Sequence, residues 1–274
     1  MNRRWALVTD LHPELGRHPR NRYFEWRLPS VVQRRISEAQ AVQYREQGYF
    51  LFENAFSATE LSTVIAAIAP LEEQTESFLQ SRKNGTYGIA RANRITFSPH
   101  LVARSQVLRE FSMHPVLIDL VHDLIGPPAR LYWDQAVYKK PGNPEEFPWH
   151  QDNGYTYVEP QQYLTCWIAL TDATEQNGCP WVVPGLHRLG TLEHVMTPLG
   201  WQCLDEPRAA VMVEAKAGSI VVFSSLTPHR TGPNLTDSIR KAYILQYAPD
   251  GATAFPAGGE PAVCAVEDRQ YRVC

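Results

Sequence analysis

The chain has 274 residues, a formal net charge of -3 and a pI near 6.3, so no global basic field points to nucleic acid as a partner. Hydrophobic residues make up 44% and aromatic residues 11%, ample for a core, and no apolar run approaches the roughly 18 to 20 residues that span a bilayer. Five cysteines without any C-x-x-C spacing read as the reduced thiols of a cytoplasmic protein, and residues 1–11 lack the apolar core of a secretory signal.

Residues 1–36 are rich in Arg, Pro and aromatics with no helical or alternating period, which predicts an irregular arm draped over the body. Ser37-Glu38-Ala39-Gln40 fits a capping box and opens a short helix that stops at Gly48, after which residues 49–52 read as a brief strand. Ser57-Ala58-Thr59-Glu60 is a second capping box. The helix it opens carries Leu61, Val64, Ile65 and Ile68 along one face, and the pattern weakens from about Gln74 to Ser98. That polar stretch, with Asn84-Gly85 and Gly88, reads either as a solvated surface loop or as a mobile lid ahead of the barrel. Residues 115–125 form a clearer helix, with Pro near the first turn and Gly126 at the end.

Beyond Pro127-Pro128 the pattern changes to short strands separated by Pro, Gly and Asn, at residues 131–139, 163–170, 180–183, 219–225 and 241–248. Cys166 falls inside one of these runs and reads as core. Helices followed by a strand-rich body indicate an α+β fold with a mainly β core, in which the N-terminal helices buttress one sheet of a jelly roll. The expected layout is a single domain over 1–274. It comprises the arm (1–36), a mainly helical buttress with the loop or lid (37–128), the jelly-roll core (129–250) and a C-terminal extension (251–274).

Trp149-His150-Gln151-Asp152-Asn153 carries the chemistry. In extended backbone His150 and Asp152 project to one face and can reach one metal ion, whereas Asn153 points to the other and should tolerate substitution unless it holds the loop. His229 follows a strongly apolar run and is the best third ligand. Two histidines and one carboxylate with open positions suit a non-haem Fe(II) oxygenase. Thr231 shares the parity of His229, and Arg240 stands 11 residues beyond that histidine.

On these residues the chain resembles the phytanoyl-CoA dioxygenase family of Fe(II)- and 2-oxoglutarate-dependent oxygenases. Gly48-Tyr49, the segment from Asn177 through Pro184-Gly185-Leu186-His187, and Ala217-Gly218-Ser219 with the run to Phe223 match family blocks, over roughly residues 37–250. The resemblance implies a double-stranded β-helix with iron held by His150, Asp152 and His229, and with 2-oxoglutarate and O2 as cosubstrates. It places Arg240 on the far carboxylate of 2-oxoglutarate, for which its planar fork is suited, with a hydroxyl contact from Thr231. It also places Gln135, Thr165 and Trp167 in the cosubstrate pocket.

The activity implied is hydroxylation of an unactivated C–H bond in a small molecule, by a monomer or homodimer acting without nucleic acid or membrane. Desaturation, ring formation or peroxide formation are open outcomes, while halogenation is disfavoured because Asp152 is present. The competing readings are a catalytically silent metal-binding jelly roll and a zinc hydrolase, and neither needs Arg240. His187 reads as structural. Substrate contacts are expected from His194, Trp201 and Arg188 in the 186–207 insertion, and a CoA thioester would call for a basic groove to which Arg91, Arg94 and Arg188 could contribute.

Overall fold

The computed structural model describes residues 15–274. The helices are α1 (Glu38–Gln47), α2 (Ala58–Ser81), α3 (Gln106–Phe111) and α4 (Pro115–Leu124). Strands β1 (Tyr49–Phe52), β2 (Thr86–Tyr87), β3 (Ala90–Arg91), β4 (Ile95–Pro99) and β5 (Ala129–Lys139) lie among and after them. Then come β6 (Tyr157–Glu159), β7 (Leu164–Ala169), β8 (Pro180–Val182), β9 (Val195–Thr197), β10 (Gly200–Gln202) and β11 (Val211–Met212). The chain continues through β12 (Ile220–Ser224), β13 (His229–Thr231), β14 (Arg240–Pro249), β15 (Thr253–Phe255) and β16 (Ala262–Val263).

One antiparallel sheet carries eight strands in the order β1-β12-β7-β14-β5-β4-β3-β2, and a smaller one runs β11-β8-β13. The small sheet is extended by a bridge between His150 and His229. This is the α+β jelly roll expected, a double-stranded β-helix with helices against one side. Register explains how the large sheet serves two cores. Ile244 lies opposite Gln135 on β5 and Trp167 on β7, and Val221 also lies opposite Trp167, so one parity faces the barrel interior. The other parity includes Cys166, Ile168, Val222 and Tyr243, and packs with Leu61, Val64 and Leu120 of the helices. Cys166 is accordingly core.

Both capping boxes form as expected, and α1 ends on Gly48 in the left-handed region at φ 82°. A Cβ at Gly48 would lie 2.5 Å from His187 Nδ1 and 2.6 Å from Thr227 Oγ1, so glycine is needed there for space as well as conformation. α2 outruns its apolar pattern and continues past Pro70 to Ser81. Its last turns pack through polar contacts: Thr96 Oγ1 donates to Glu72 at 2.8 Å, and Lys140 Nζ lies 2.6 Å from the same oxygen. Residues 95–99, expected within the loop or lid, form β4 along β5 in the large sheet. The β2–β3 hairpin stands at the cavity described below, together with Gln74, Phe78 and Leu79 of α2 and Phe97 of β4.

The described part of the N-terminal arm is fastened by Asn21, whose Nδ2 donates to Leu189 O and Thr191 O, both at 2.8 Å, and by Trp26 packed edge-on to His187 at 4.4 Å. At the other end of the chain, Val273 N donates to Ala129 O at 2.9 Å beside the start of β5.

Asp134, 1% exposed on β5, accepts from Leu101 N at 2.8 Å, Val102 N at 3.2 Å and Tyr243 Oη at 3.0 Å. Burial outweighs these donors and pushes its carboxyl up from 3.8 to about 6. The folded state therefore binds this proton more tightly than the unfolded chain. The resulting stabilisation is complete below about pH 4 and is lost as pH rises through 6, a change of roughly 3 kcal/mol. Urea unfolding of the parent and Asp134→Asn should show the parent gaining on the variant by about 2 kcal/mol between pH 7.5 and pH 4.5. A constant difference would contradict the assignment.

Candidate active site

The small sheet places the first two histidines. His150 N donates to His229 O at 2.9 Å and His229 N to His150 O at 2.8 Å, a directly opposed antiparallel pair whose side chains share a face. Their ring centroids are 4.1 Å apart. Each ring is then oriented by the carbonyl two residues before it: His150 Nδ1–H donates to Pro148 O at 2.8 Å and His229 Nδ1–H to Thr227 O at 3.0 Å. Both Nε2 atoms are left with their lone pairs inward, the tautomer a metal requires. Burial and the neighbouring His229 hold His150 well below the usual imidazole range, so its ring is neutral.

Asp152 joins them differently from expected. The backbone is extended only to Gln151; Asp152–Gly154 is a 3-10 turn, yet the carboxylate still reaches the pair, with Oδ1 3.7 Å from His229 Nε2. One donor atom from each of the three residues lies within 4.8 Å of the others. Asp152 Oδ2 accepts from Thr165 Oγ1 at 2.5 Å, and Thr165 accepts from Gln246 Nε2 at 3.4 Å. Thr165 is thus engaged in fixing Asp152.

The residues between and beyond the ligands hold the turn. Gln151 is fully buried, donating to Gly190 O and Leu226 O and accepting from Leu192 N. Asn153 is also fully buried: it donates to Thr191 Oγ1 at 2.7 Å and accepts from Val158 N at 2.9 Å. It is not the tolerant neighbour that strict strand alternation implies, because the 3-10 turn directs it inward. Asn153→Ala leaves buried groups unpartnered, so a loss of about 1–3 kcal/mol is expected on thermal or urea unfolding, with metal affinity falling roughly 10- to 100-fold. Parent-like stability and metal affinity would contradict this role.

His194 donates from Nδ1 to Leu192 O and accepts from Gln151 N at Nε2, 3.0 Å, which holds it neutral; burial brings it down to about 4. Gly154 passes so close to that ring that a Cβ would approach it within 2.2 Å. The 186–207 insertion therefore supplies a clamp on the ligand turn through His194. Trp201 lines the cavity, whereas Arg188 donates to Arg45 O at 2.8 Å and is not among the lining residues.

Arg240 opens β14 opposite Lys139 and is fully buried. Its Nη1 reaches Val137 O at 3.4 Å, while Nε and Nη2 have no partner. The guanidinium lies 5.3 Å from the Trp167 ring, and burial lowers it to about 10, which leaves it charged at neutral pH. Lys139 Nζ is satisfied by carbonyls, including that of Thr231 at 3.2 Å, so Thr231 stands beside this cation pair. Burial and the nearby Arg240 lower Lys139 well below its usual range. Among the described residues no carboxylate forms an ion pair with Arg240. A buried, half-satisfied guanidinium is costly unless an anion meets it, so Arg240 is fitted to an anionic ligand.

A cavity of about 810 Å³ leads from the surface to His150 and Asp152, and Gln135 and Gln246 line it. Lys139, Gln246 and Tyr155 were missed from the sequence. Lys139 and Gln246 share strand parity with Gln135 and Arg240, a usable signal; Tyr155, packed 5.3 Å from His150, had none.

The family model described as phytanoyl-CoA dioxygenase matches residues 44–242. A phytanoyl-CoA dioxygenase of Arabidopsis thaliana is 35% identical over 115 residues, 40% of this chain and 41% of that protein. The chain thus aligns with less than half the length of that relative. An ectoine dioxygenase of Bordetella parapertussis is 26% identical over 234 residues, 77% of this chain and 75% of that protein. The crystal structure of SnoK, a non-haem alpha-ketoglutarate-dependent carbocyclase from nogalamycin biosynthesis, superposes with a TM-score of 0.66 at 26% identity, covering 81% of this chain and 87% of that one.

Proposed function

The chain belongs to the phytanoyl-CoA dioxygenase family of Fe(II)- and 2-oxoglutarate-dependent oxygenases, and from that premise we propose that it hydroxylates an unactivated C–H bond of a small organic substrate. The observation that carries this reading is the pairing of a three-donor cluster with a buried guanidinium whose Nε and Nη2 await an anion. In this assignment His150, Asp152 and His229 hold the iron. Arg240 grips the far carboxylate of 2-oxoglutarate, with Thr231, Gln135, Thr165 and Trp167 around the cosubstrate.

Iron and 2-oxoglutarate, when bound, supply the oxidising chemistry: O2 is consumed, 2-oxoglutarate leaves as succinate and CO2, and one oxygen atom is added to the substrate. The chain contributes orientation and dryness. Pro148 O and Thr227 O fix the imidazole tautomers, Thr165 fixes Asp152, and the rings of Phe147 and Tyr155 cover His150 at 4.7 and 5.3 Å. Among the described residues no helix is long and apolar enough to cross a membrane. The five free cysteines support the cytoplasmic location that is part of this proposal.

A zinc hydrolase would use the same donors and leave Arg240 without a task. Incubation with Fe(II), 2-oxoglutarate and O2 separates the two. Succinate should form slowly without substrate and should not form when Zn(II) replaces iron. Succinate-free samples that hydrolyse esters with Zn(II) would overturn the oxygenase reading.

A further inference from the structure

The names of the matched proteins span substrates as different as a CoA thioester and ectoine, so the substrate class is argued here from the cavity. Resting on the oxygenase reading, we propose that the substrate is a neutral, largely apolar molecule built of several fused or linked rings.

Size is the first argument. At about 810 Å³ the cavity lies toward the upper end of the roughly 300–1,000 Å³ of drug-sized ligand sites, far more than a small zwitterion fills. The nature of the wall is the second, since nine of the lining side chains are aromatic, some at the exposed rim and others beside the metal donors. Phe78 and Tyr87 meet edge-on at 5.5 Å at the outside, and Phe97 packs on Phe147 at 5.7 Å further in. Phe147 then meets His150 at 4.7 Å. Such walls hold ring faces and edges without asking for charge.

The mouth is the third argument. Phe78, Tyr87 and Met196 line it and remain 45%, 63% and 62% exposed, an apolar rim that a ligand of like character would cover.

Charge is the fourth. Apart from Asp152 beside the iron donors, Arg104 is the one charged residue among those lining the cavity, and its Nη2 already donates to Gln74. Of the arginines considered for a CoA groove, none lines the cavity: Arg91 is paired with Glu145 at 2.6 Å and Arg188 bonds Arg45 O. A CoA thioester, with its diphosphate and 3′-phosphate, would find one engaged guanidinium where several cations are needed. Gln135, Gln246 and Thr156 supply the few polar contacts, suited to carbonyl or hydroxyl groups on a ring system.

The test uses the full chain loaded anaerobically with Fe(II) and 2-oxoglutarate, reading quenching of tryptophan fluorescence, since Trp133 and Trp201 line the cavity. The probes are progesterone and flavone as neutral ring systems, decanoyl-CoA as a polyanionic thioester, and ectoine and methylphosphonate as small charged solutes. The neutral probes should bind with dissociation constants below about 100 µM, a free energy within reach of apolar burial at such a site. Met196→Glu and Tyr87→Glu, both at exposed positions that should not disturb folding, should each weaken that binding about tenfold. Tighter binding of decanoyl-CoA, or no neutral probe bound below 1 mM, would overturn the inference. Succinate release from probe-free aerobic samples keeps the two claims apart. Succinate with the wrong ligand preference removes only the substrate class, whereas its absence removes the oxygenase reading, with quenching still deciding which chemistry the cavity accepts.

Discussion

Asp152→Ala is expected to bind Fe(II) at least about a hundredfold more weakly than the parent and to lose substrate hydroxylation. Outer contacts to metal ligands are commonly worth 10- to 100-fold in affinity, and this substitution removes one of the three proposed donors and the only negative charge among them. It also strands the Thr165 hydroxyl, which donates to Asp152 Oδ2. Asp152→Glu keeps the charge but lengthens the arm by roughly 1.5 Å, so the carboxylate overshoots both Thr165 and the imidazole pair; low residual activity is expected. Asp172→Ala is a suitable control, because that carboxylate pairs with Lys216 at the surface. Anaerobic Fe(II) titration reads the affinities, and parent-like iron binding and hydroxylation by Asp152→Ala would dismantle the assignment.

Arg240→Lys is expected to weaken 2-oxoglutarate about tenfold to a hundredfold while leaving Fe(II) affinity close to that of the parent. Lysine retains the charge and loses the fork, so a bidentate charged pair worth on the order of 1.5–3 kcal/mol is reduced to a point contact. Two features make the loss large. Nε and Nη2 are the atoms without protein partners, and the guanidinium carbon lies over the Trp167 ring at 5.3 Å, a position the differently shaped ammonium would leave. Lys139 already occupies the facing position on β5 with its amine held by carbonyls, so the existing cation cannot take over. The measurement is succinate formation against 2-oxoglutarate concentration, together with direct binding to the metal-loaded protein. Unchanged cosubstrate affinity would remove Arg240 from the site.

Much of this was legible in the sequence where a local rule had no competitor. Ser37 and Ser57 announced both capping boxes, and the four longer strands β5, β7, β12 and β14 fell within a residue or two of their apolar runs, because β7 and β12 are buried along their whole length and β14 nearly so. The cluster of His150, Asp152 and His229 was legible because few residue types supply metal donors; strand register brings the two histidines together, and the 3-10 turn rather than the expected extended backbone brings Asp152. What stayed hidden depended on polar packing or on partners distant in sequence. The end of α2 buries Glu72 and Thr75 against β4 through hydrogen bonds, so apolar periodicity stops before the helix does. β13 is three residues long and exists through pairing with β8. His194 and Asn153 look like surface residues in isolation and become clamps, the first half-buried and the second fully buried, only when the 186–207 insertion folds over the turn that carries Asp152.

The most direct test of the central claim is optical. Parent protein, Asp152→Ala and Arg240→Lys are each loaded with Fe(II) under anaerobic conditions and titrated with 2-oxoglutarate, following the visible charge-transfer band of cosubstrate chelated to ferrous iron. The account predicts a saturable band in the parent, the same band at about ten- to a hundredfold higher 2-oxoglutarate in Arg240→Lys, and none in Asp152→Ala under the same loading. No band in the parent, or one that develops equally in all three proteins, would contradict it.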